Sequence, residues 1–519
     1  MPLPLLLPAI AAAVVLALLL AVFSLGAFAR QARGTPSSAL PVADPAASNA
    51  TPVDTLIGPM LAEHAGETGM VLLDGDLEAF AVRARSARAA GRSLDLQYYI
   101  WANDLTGRLL ISEVLDAADR GVRVRLLLDD VNAQGQDRAL RALDDHPNIA
   151  VRLFNPARNR RRGLRRGLEL VLRIVRTTRR MHNKVWIADG RIAVIGGRNI
   201  GDKYFDAAAT STFRDLDVAA IGAAVEQASA IFDRFWNSDA VVPMAVLHRR
   251  HGNLRGARRG LARLSKHGRS QPYLDRVAAD PSVQALLSGH APIHWTETAT
   301  VVSDPPDKGF GQASESWMIQ AIGPHLVSAS SSLEIISPYF IPGVAGSAAL
   351  LDLAGRGVKV SILTNSLAAT DVAAVHGAYA RYRKRLVAGG VQLFELRPYK
   401  RRRRVGIFGT SSASLHTKAF TVDDGLGFIG SMNFDPRSIR LNTEMGLLFQ
   451  SLGLVRQIRA VFATETAPDR SYRLALQDGR LLWHGGGTAA AVVNREPMAG
   501  CLRRAIAAIA ALLPIESQL

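Results

Sequence analysis

The sequence predicts an α/β fold in which one unit of alternating strands and helices occurs twice, behind a single N-terminal transmembrane helix. Three observations support this prediction: an internal repeat, short Val/Ile/Leu runs that alternate with helical stretches, and an uncharged N-terminus. The chain has 519 residues, which is enough for two domains that each bury a core. Its composition, 48% hydrophobic and 21% charged, is typical of a globular protein rather than a disordered one.

The N-terminal segment is predicted to be a membrane anchor over residues 1–29. Leu5–Ala29 is almost entirely apolar and is long enough to span a bilayer core as a helix. A cleaved signal peptide is the alternative, but the positively charged region that begins such a peptide is absent. Arg30 and Arg33 follow the segment, so the positive-inside rule places the body in the cytoplasm. Residues 30–60, rich in Pro, Ala and Ser at their start, are predicted to form a flexible linker.

An internal repeat divides the rest of the chain. Four sequence blocks recur in the same order, with offsets between 234 and 240 residues. Each block lies in an alternation of strand-like and helix-like segments, which predicts a mostly buried sheet in each unit. We therefore expect a first repeat over 61–290, with a basic insertion, and a second over 291–519. The paired blocks begin at Ser93 and Ser332, Arg120 and Arg356, Val151 and Val391, and His182 and His416.

The formal net charge of +17 favours an anionic partner, either nucleic acid or an anionic lipid surface. The insertion at Arg249–Arg269 shows no clear apolar face and is predicted to be a solvated surface. Two other basic runs, Arg158–Arg180 and Lys400–Arg404, each precede a repeated histidine, and we expect them to recruit an anionic surface. The single cysteine, Cys501, excludes a disulfide within the chain and a cysteine-based metal site.

Each repeat carries a His-x-Lys-x4-Asp motif followed, after six residues, by Gly-x-x-Asn. Alternate residues of a strand face the same way, so the His and Lys of each motif share one face. A turn after the Asp then brings the Gly-x-x-Asn segment back beside them. Two halves that face each other would bring together two imidazoles, two ammonium groups and two carboxamides. The residues are His182, Lys184, Asp189 and Asn199 in the first repeat, and His416, Lys418, Asp423 and Asn433 in the second.

This set of side chains can cleave a phosphodiester without a metal or another cofactor. One imidazole attacks phosphorus to form a phosphohistidine, while the other protonates the leaving oxygen and then deprotonates the incoming alcohol or water. The lysines and asparagines stabilise the charged oxygens. We expect Asp217 and Glu444 to orient the histidines. For Asp189 and Asp423, which lie at the turns, a structural role is as consistent with the pattern as a chemical one.

The repeated motifs resemble those of the phospholipase D superfamily, and within it those of bacterial cardiolipin synthases, particularly the C type. The resemblance covers nearly everything after the linker. It departs from the better-known synthases in one respect, because those begin with two transmembrane helices and this chain with one. Further segments that carry the likeness are Leu94–Trp101, Gly196–Phe205, Ser337–Gly343, Thr364–Asp371 and Gly430–Ser438.

The resemblance implies a monomer built from a pseudo-twofold pair of phospholipase D-type domains, each a mixed sheet flanked by helices, with one active site at their junction. It implies catalytic roles for the His, Lys and Asp of both motifs, with His182 as the nucleophile. It also implies transfer of a phosphatidyl group from phosphatidylethanolamine or phosphatidylglycerol to phosphatidylglycerol, at the bacterial inner membrane. A need for an accessory protein stays open.

Two other activities compete with this one. A hydrolase would use the same residues and release phosphatidic acid, because water and a lipid alcohol share one general base. A nuclease would account for the positive charge. The transmembrane anchor argues against a nuclease, as do arginines that are interleaved with Leu, Ile and Val.

Overall fold

The structure is a computed structural model that describes residues 50–160, 169, 178–208, 211–266, 268, 270–311, 317–398, 412–485, 491–513 and 516–518. The predicted transmembrane segment, most of the linker, most of Arg158–Arg180 and all of Lys400–Arg404 lie outside these ranges. Within them, no helix combines the length and the apolar character that crossing a bilayer requires.

The described ranges contain two large sheets, a third sheet of two strands, and the helices that flank them. The strands are β1 Thr68–Leu73, β2 Ser93–Tyr98, β3 Arg123–Asp129, β4 Ile149–Phe154, β5 Val185–Ala188, β6 Ile192–Gly196, β7 Ser211–Arg214, β8 Asp217–Gly222, β9 Val241–Pro243, β10 His294–Thr296, β11 Thr300–Ser303, β12 Ser332–Ile336, β13 Lys359–Asn365, β14 Gln392–Leu396, β15 Ser412–Leu415, β16 Ala419–Val422, β17 Leu426–Gly430, β18 Met445–Gln450, β19 Ser471–Gln477, β20 Arg480–Gly485 and β21 Ala491–Val493. The α-helices are α1 Pro52–Glu63, α2 Asp76–Ala89, α3 Leu105–Asp119, α4 Asp130–Ala133, α5 Asp137–Asp144, α6 Ala223–Trp236, α7 Met244–Leu247, α8 Leu254–Lys266, α9 Gln271–Ala279, α10 Pro281–Leu287, α11 Met318–Val327, α12 Gly343–Gly355, α13 Ala373–Ala388, α14 Pro436–Arg440, α15 Leu452–Glu465 and α16 Cys501–Leu512.

Eight strands of each half follow the same order, from β1 to β9 in the first sheet and from β11 to β19 in the second, which confirms the duplicated α/β architecture. The first sheet runs β10-β1-β8-β6-β5-β2-β3-β4-β9, and the second runs β11-β18-β17-β16-β12-β13-β14-β19-β20-β21. In each sheet three adjacent strands are parallel, β2-β3-β4 and β12-β13-β14, and the other pairings are antiparallel. Both sheets are therefore mixed, as the fold prediction requires.

The chain passes from the first sheet to the second between β10 and β11. β10 pairs with β1, so the first sheet ends at Thr296. The sequence-based boundary between 290 and 291 thus falls just before the last strand of the first sheet. An edge strand of three residues carries too little periodicity to be assigned to either half from sequence alone.

The two halves share one hydrophobic core, which fixes how they face each other. Strands β5, β6, β17 and β18 contribute to it, together with the apolar faces of α6 and α15. Its fully buried members include Val185, Ile195, Phe232, Leu447 and Val455. Burial of apolar surface stabilises a structure roughly in proportion to the area removed from water, so this common core holds the two repeats together as one unit.

The basic insertion corrects one expectation. Arg249–Arg269 was predicted to lack an apolar face, but it contains helix α8, whose Leu254, Leu261 and Leu264 pack against the core of the first half. Three leucines on one helical face are enough to dock a helix. Arg255, Arg259 and Arg263 are exposed, while Arg258 pairs with Asp119 of α3. The charge of the segment masked its amphipathic spacing.

Candidate active site between the two halves

Each motif histidine is held by the backbone of the opposite half. His182 lies just before β5, and its N–H donates to the carbonyl of Thr443 at 2.9 Å. His416 lies between β15 and β16, and its N–H donates to the carbonyl of Arg214 at 2.7 Å. The adjoining strands β7 and β15 pair in parallel across the junction. The His-x-Lys segments therefore precede the strands on which they were expected.

A carboxylate from the opposite half contacts each imidazole. Nδ1 of His182 lies 2.7 Å from Oε2 of Glu444, and Nδ1 of His416 lies 2.5 Å from Oδ2 of Asp215. Both carboxylates are fully buried. A carboxylate on Nδ1 fixes the ring orientation and leaves Nε2 for chemistry, so each histidine is prepared as a base or a nucleophile.

Asp217 was expected to orient one of the histidines, but the carboxylate of this segment that contacts a histidine is Asp215, on His416. The Asp217 carboxylate pairs instead with two buried arginines, Arg83 at 2.9 Å and Arg198 at 3.5 Å. Strand register explains the difference. Gly196 pairs with Asp217 in the first half, and Gly430 pairs with Gly446 in the second, so the counterpart of Glu444 lies two residues before Asp217.

The two carboxylate sites differ in their immediate surroundings. The Ser431 hydroxyl donates to Oε2 of Glu444, and the same hydroxyl accepts the Met445 N–H. The corresponding position in the first half is Gly197, where a Cβ atom would lie 2.1 Å from Oδ1 of Asp215. The shorter Asp215 thus requires a residue without a side chain, whereas the longer Glu444 is supported by a hydroxyl.

Asp189 and Asp423 close the strand turns rather than facing the histidines. Asp189 has φ of 55° and accepts N–H groups from Gly91, Arg92 and Ser93. Asp423, with φ of 50°, binds the corresponding amides of residues 330–332. From each lysine to its aspartate the chain extends for five residues, about 16 Å. These carboxylates, predicted as catalytic from the family resemblance, therefore anchor the loop before β2 and β12.

The motif lysines are buried and close to the imidazoles. Nζ of Lys184 donates to the carbonyl of His182 at 2.5 Å, and Nζ of Lys418 lies 2.9 Å from Nδ1 of His416. Burial, opposed by Glu444, lowers the pKa of Lys184 to about 7, and burial, opposed by Asp215, lowers the pKa of Lys418 to about 8. Removing water from an ammonium group disfavours its charged form, and an anionic ligand would restore it.

The histidines are electrostatically coupled through the same ammonium groups. Burial lowers the pKa of His182 to about 4, with Glu444 opposing and Lys184 adding to the decrease. Burial, Lys418 and Lys184 together hold the pKa of His416 well below its ordinary value. Both imidazoles are therefore neutral near pH 7.

The two carboxylates shift in opposite directions. Burial raises the pKa of Asp215 in spite of Lys418 and Arg198. Burial acts in the same sense on Glu444, but His182 and Lys184 outweigh it and lower the pKa of that carboxyl. The Glu444 carboxyl group is thus stabilised as an anion, while the Asp215 carboxyl group accepts a proton more readily.

Both histidines and both asparagines line one cavity of about 610 Å³ between the halves. Asn199 accepts the Ile100 N–H and donates to the Tyr204 hydroxyl, which orients its amide. Asn433 Oδ1 is buried and has no hydrogen-bond partner among the residues that the structure describes. Other side chains that line the cavity are Tyr99, Tyr339, Asp371, Val375, Asp435 and Arg437.

A second cavity of about 540 Å³ lies behind Asp215 and Thr417, on the far side of the His416 segment. Its lining includes Glu78, whose pKa burial and Asp74 raise to about 7. Neither motif histidine lines this cavity. The first cavity is therefore the candidate active site.

Comparison with known proteins identifies the family. The family described as "Cardiolipin synthase, PLD-like domain" matches residues 85–236 and 322–465, the two repeats. Cardiolipin synthase C of Escherichia coli strain K12 is 43% identical over 466 residues, which are 88% of this chain and 98% of that protein. A cardiolipin synthase of Staphylococcus aureus strain Mu50 is 25% identical over 415 residues, 80% of this chain and 70% of that one.

Among solved structures, phosphatidylserine synthase of Haemophilus influenzae Rd KW20 has the same fold. It superimposes with a TM-score of 0.54 at 15% identity and covers 85% of this chain and 91% of its own. The family match over both repeats, the relatives that align with most of the chain and the paired His-x-Lys-x4-Asp motifs all indicate the same family. The chain belongs to the cardiolipin synthase family of phospholipase D-like proteins.

Proposed function

We propose that this protein is a phosphatidyltransferase that makes cardiolipin by transferring a phosphatidyl group to a hydroxyl of phosphatidylglycerol. One observation carries the proposal: two histidines, each on a carboxylate from the opposite half, line a single cavity, and a buried motif lysine lies beside each of them. The relatives that are cardiolipin synthases support the same reaction. The donor is phosphatidylethanolamine or a second phosphatidylglycerol.

We assign His182 as the nucleophile. Its pKa of about 4 keeps Nε2 unprotonated at neutral pH, and the ionised Glu444 holds Nδ1. Nε2 attacks phosphorus as the bond to the headgroup oxygen breaks, which gives a phosphatidyl-histidine. Lys184 and Lys418 regain full charge when the phosphate binds and stabilise its oxygens. Asn199 and Asn433 line the cavity around the same group.

His416 is then the acid and the base. A bound phosphodiester places a negative charge beside this imidazole and favours its protonated form, which burial and the two lysines disfavour. His416 donates that proton to the departing headgroup alcohol. In the second half-reaction it removes a proton from the phosphatidylglycerol hydroxyl, whose oxygen displaces His182 from phosphorus. Proton and charge balance over the two steps.

The proposal also includes an attachment to the bacterial inner membrane through the N-terminal segment, with the catalytic body in the cytoplasm and acting as a monomer. It rests on the apolar, uncharged sequence of residues 1–29 and the arginines that follow. Fusions of reporter enzymes to the C-terminus would determine on which side of the membrane the body lies.

The test is expression in a bacterial strain that lacks every cardiolipin synthase, followed by lipid mass spectrometry. We expect cardiolipin with the wild type and none with His182→Ala or His416→Ala at equal protein levels. Removing phosphatidylethanolamine from the strain identifies the donor. Phosphatidic acid in place of cardiolipin would make the protein a hydrolase, and a fully active double variant would refute the mechanism.

A further inference from the structure

We infer that helix α16 seats the mouth of the active-site cavity on an anionic lipid bilayer, with its outward apolar side chains in the interface. This inference rests on the proposed function in one respect, namely that both substrates are bilayer lipids. It concerns a surface of the folded body and is separate from the N-terminal segment.

The outer face of α16 is apolar where a surface helix is ordinarily polar. Leu502, Ile506 and Ile509 follow the spacing of one helical face and are 75%, 42% and 59% exposed. Leu512, at the end of the helix, is 86% exposed. The buried residues on the inward face of the helix are alanines, so the large side chains of the helix face solvent. This inverts the usual distribution and is typical of an interfacial helix.

The helix is tightly fixed to the wall of the cavity. It packs on α13 at Gly377, where a Cβ atom would lie 2.2 Å from the Ala507 carbonyl. Arg503 donates to the carbonyls of Leu367 and Thr370, at 3.1 and 2.6 Å, in the loop that leads to Asp371. A frayed terminal helix would lack these bonds. The apolar face is therefore a built surface with a fixed orientation.

That surface adjoins the cavity. Val372 and Val375, at the start of α13, line the cavity, and Val372 is itself 37% exposed. Beyond α16 the chain returns to the same place, because Gln518 lines the cavity and its carbonyl accepts a hydrogen bond from Arg437 at 3.2 Å. A lipid that leaves a bilayer bound at α16 would thus meet the cavity without crossing bulk water.

The charge around α16 favours an anionic membrane over another protein surface of the same kind. Exposed Lys384 and Arg385 lie on α13, the helix on which α16 packs, and Arg495 is exposed in the segment before α16. Basic side chains that flank an apolar helical face attract anionic lipid headgroups. A second copy of the chain would bring two such positive rims together, which like-charge repulsion opposes.

The sole cysteine provides a direct test, because Cys501 is exposed at the first position of α16. The full chain, labelled there with an environment-sensitive fluorophore, is reconstituted in vesicles of phosphatidylcholine with 30% phosphatidylglycerol. We expect a blue-shifted emission that lipids with nitroxides in the upper acyl chain quench. The control is Cys501→Ser combined with Leu452→Cys, which moves the label to an exposed apolar site on α15, and we expect no shift there.

Aqueous iodide quenching of the Cys501 label, undiminished by vesicles, would overturn the inference. So would an emission shift that depends on protein concentration in the absence of lipid, because it would indicate self-association through α16.

The functional counterpart compares two substrates for the variant Leu502→Ser/Ile506→Ser/Ile509→Ser. We expect its ratio of activity on long-chain vesicles to activity on monomeric short-chain phosphatidylglycerol to fall at least tenfold. The matched control, Leu56→Ser/Leu452→Ser, changes two exposed apolar residues on α1 and α15 and should keep the wild-type ratio. An unchanged ratio in the α16 variant refutes docking. A wild type inactive on both substrates refutes the proposed function, and the fluorescence result still decides the docking.

Discussion

At the scale of single residues, the carboxylates Glu444 and Asp215 control the orientation of the two imidazoles. Each carboxylate is fully buried against its histidine, so an amide in its place keeps the shape but supports the wrong ring tautomer. We expect Glu444→Gln and Asp215→Asn each to lower kcat by about 10²–10⁴ with little change in stability. Steady-state kinetics on purified variants, with circular dichroism melting, measures both.

Asp217→Asn is the matched comparison for these variants. Asp217 neutralises the buried guanidinium groups of Arg83 and Arg198 and does not contact His416. Its loss leaves a buried positive charge uncompensated, which costs about 3–5 kcal/mol of folding free energy. The expected result is a large drop in the free energy of unfolding by urea. An Asp217→Asn variant with normal stability and no activity would instead support the sequence-based prediction that Asp217 orients a histidine.

Gly197 provides a steric test of the same site. A methyl group at this position would overlap Oδ1 of Asp215, since the separation from a Cβ atom would be 2.1 Å. We expect Gly197→Ala to displace the carboxylate from His416 and to reduce kcat at least a hundredfold. Ser431→Gly, the reverse change in the other half, creates space instead and should reduce kcat less. Equal kinetic constants for Gly197→Ala and the wild type would show that Asp215 is not required.

Substrate binding should depend on pH through the buried lysines. Lys184 and Lys418 have pKa values of about 7 and 8, so they lose their positive charge as the pH rises through this range. We expect the inhibition constant of an uncleavable phosphonate lipid analogue to increase between pH 7 and 9, by up to about tenfold per pH unit and per proton. A constant that stays flat up to pH 10 would mean that both lysines titrate as exposed side chains do.

The motif residues were predictable from sequence, and the partner of His416 was not. Both motifs repeat with identical spacing, so His182, Lys184, His416 and Lys418 required no structure. The carboxylate that contacts His416 could not be identified in this way. Side chains alternate along a strand, so a shift of the assumed register by two residues leaves the same side chains on each face. Asp215 and Asp217 therefore fit the pattern equally well, and only the pairing of β6 with β8 distinguishes them.

At the scale of secondary-structure elements, the β5–β6 and β16–β17 hairpins are tied to the preceding strand of their own sheet. The Asp189 carboxylate satisfies the amides of three consecutive residues, and it is 1% exposed. Removing it would leave these donors without a partner, at about 1–3 kcal/mol for the group. We expect Asp189→Ala to unfold at lower urea concentration, while the folded fraction keeps its kcat.

The control for this prediction is Asp189→Asn, which keeps one acceptor oxygen and tolerates the left-handed backbone at φ of 55°. Its stability should lie between those of the wild type and Asp189→Ala. A kcat for Asp189→Asn that falls as far as that of Asp215→Asn would instead give Asp189 a direct part in the chemistry.

Element boundaries show where charge misled sequence interpretation. Helix α8 was hidden because its three docking leucines are separated by arginines, and net charge dominated the local composition. In α3 the apolar positions recur at helical spacing, and Leu109, Leu110, Val114 and Leu115 are buried. Amphipathic spacing, rather than average polarity, was the informative signal.

At the scale of the whole molecule, the two halves form one catalytic unit. Each supplies the backbone carbonyl and the carboxylate that position the histidine of the other. Removing either histidine should therefore abolish the same reaction cycle. We expect His182→Ala/His416→Ala to be no slower than the less active single variant, because residues that act as a unit are not additive. A double variant slower by the product of the two single effects would indicate two independent sites.

The exchange of carboxylates between halves has a further consequence for how such a protein can evolve. In a dimer of identical subunits, every change at one histidine would be copied at the other, so nucleophile and acid would have to share one environment. Fusion of the two units in a single gene removes that constraint. The two carboxylate sites lie at separate positions of one gene, so each can change without the other. One site now has Ser431 with Glu444, and the other has Gly197 with Asp215.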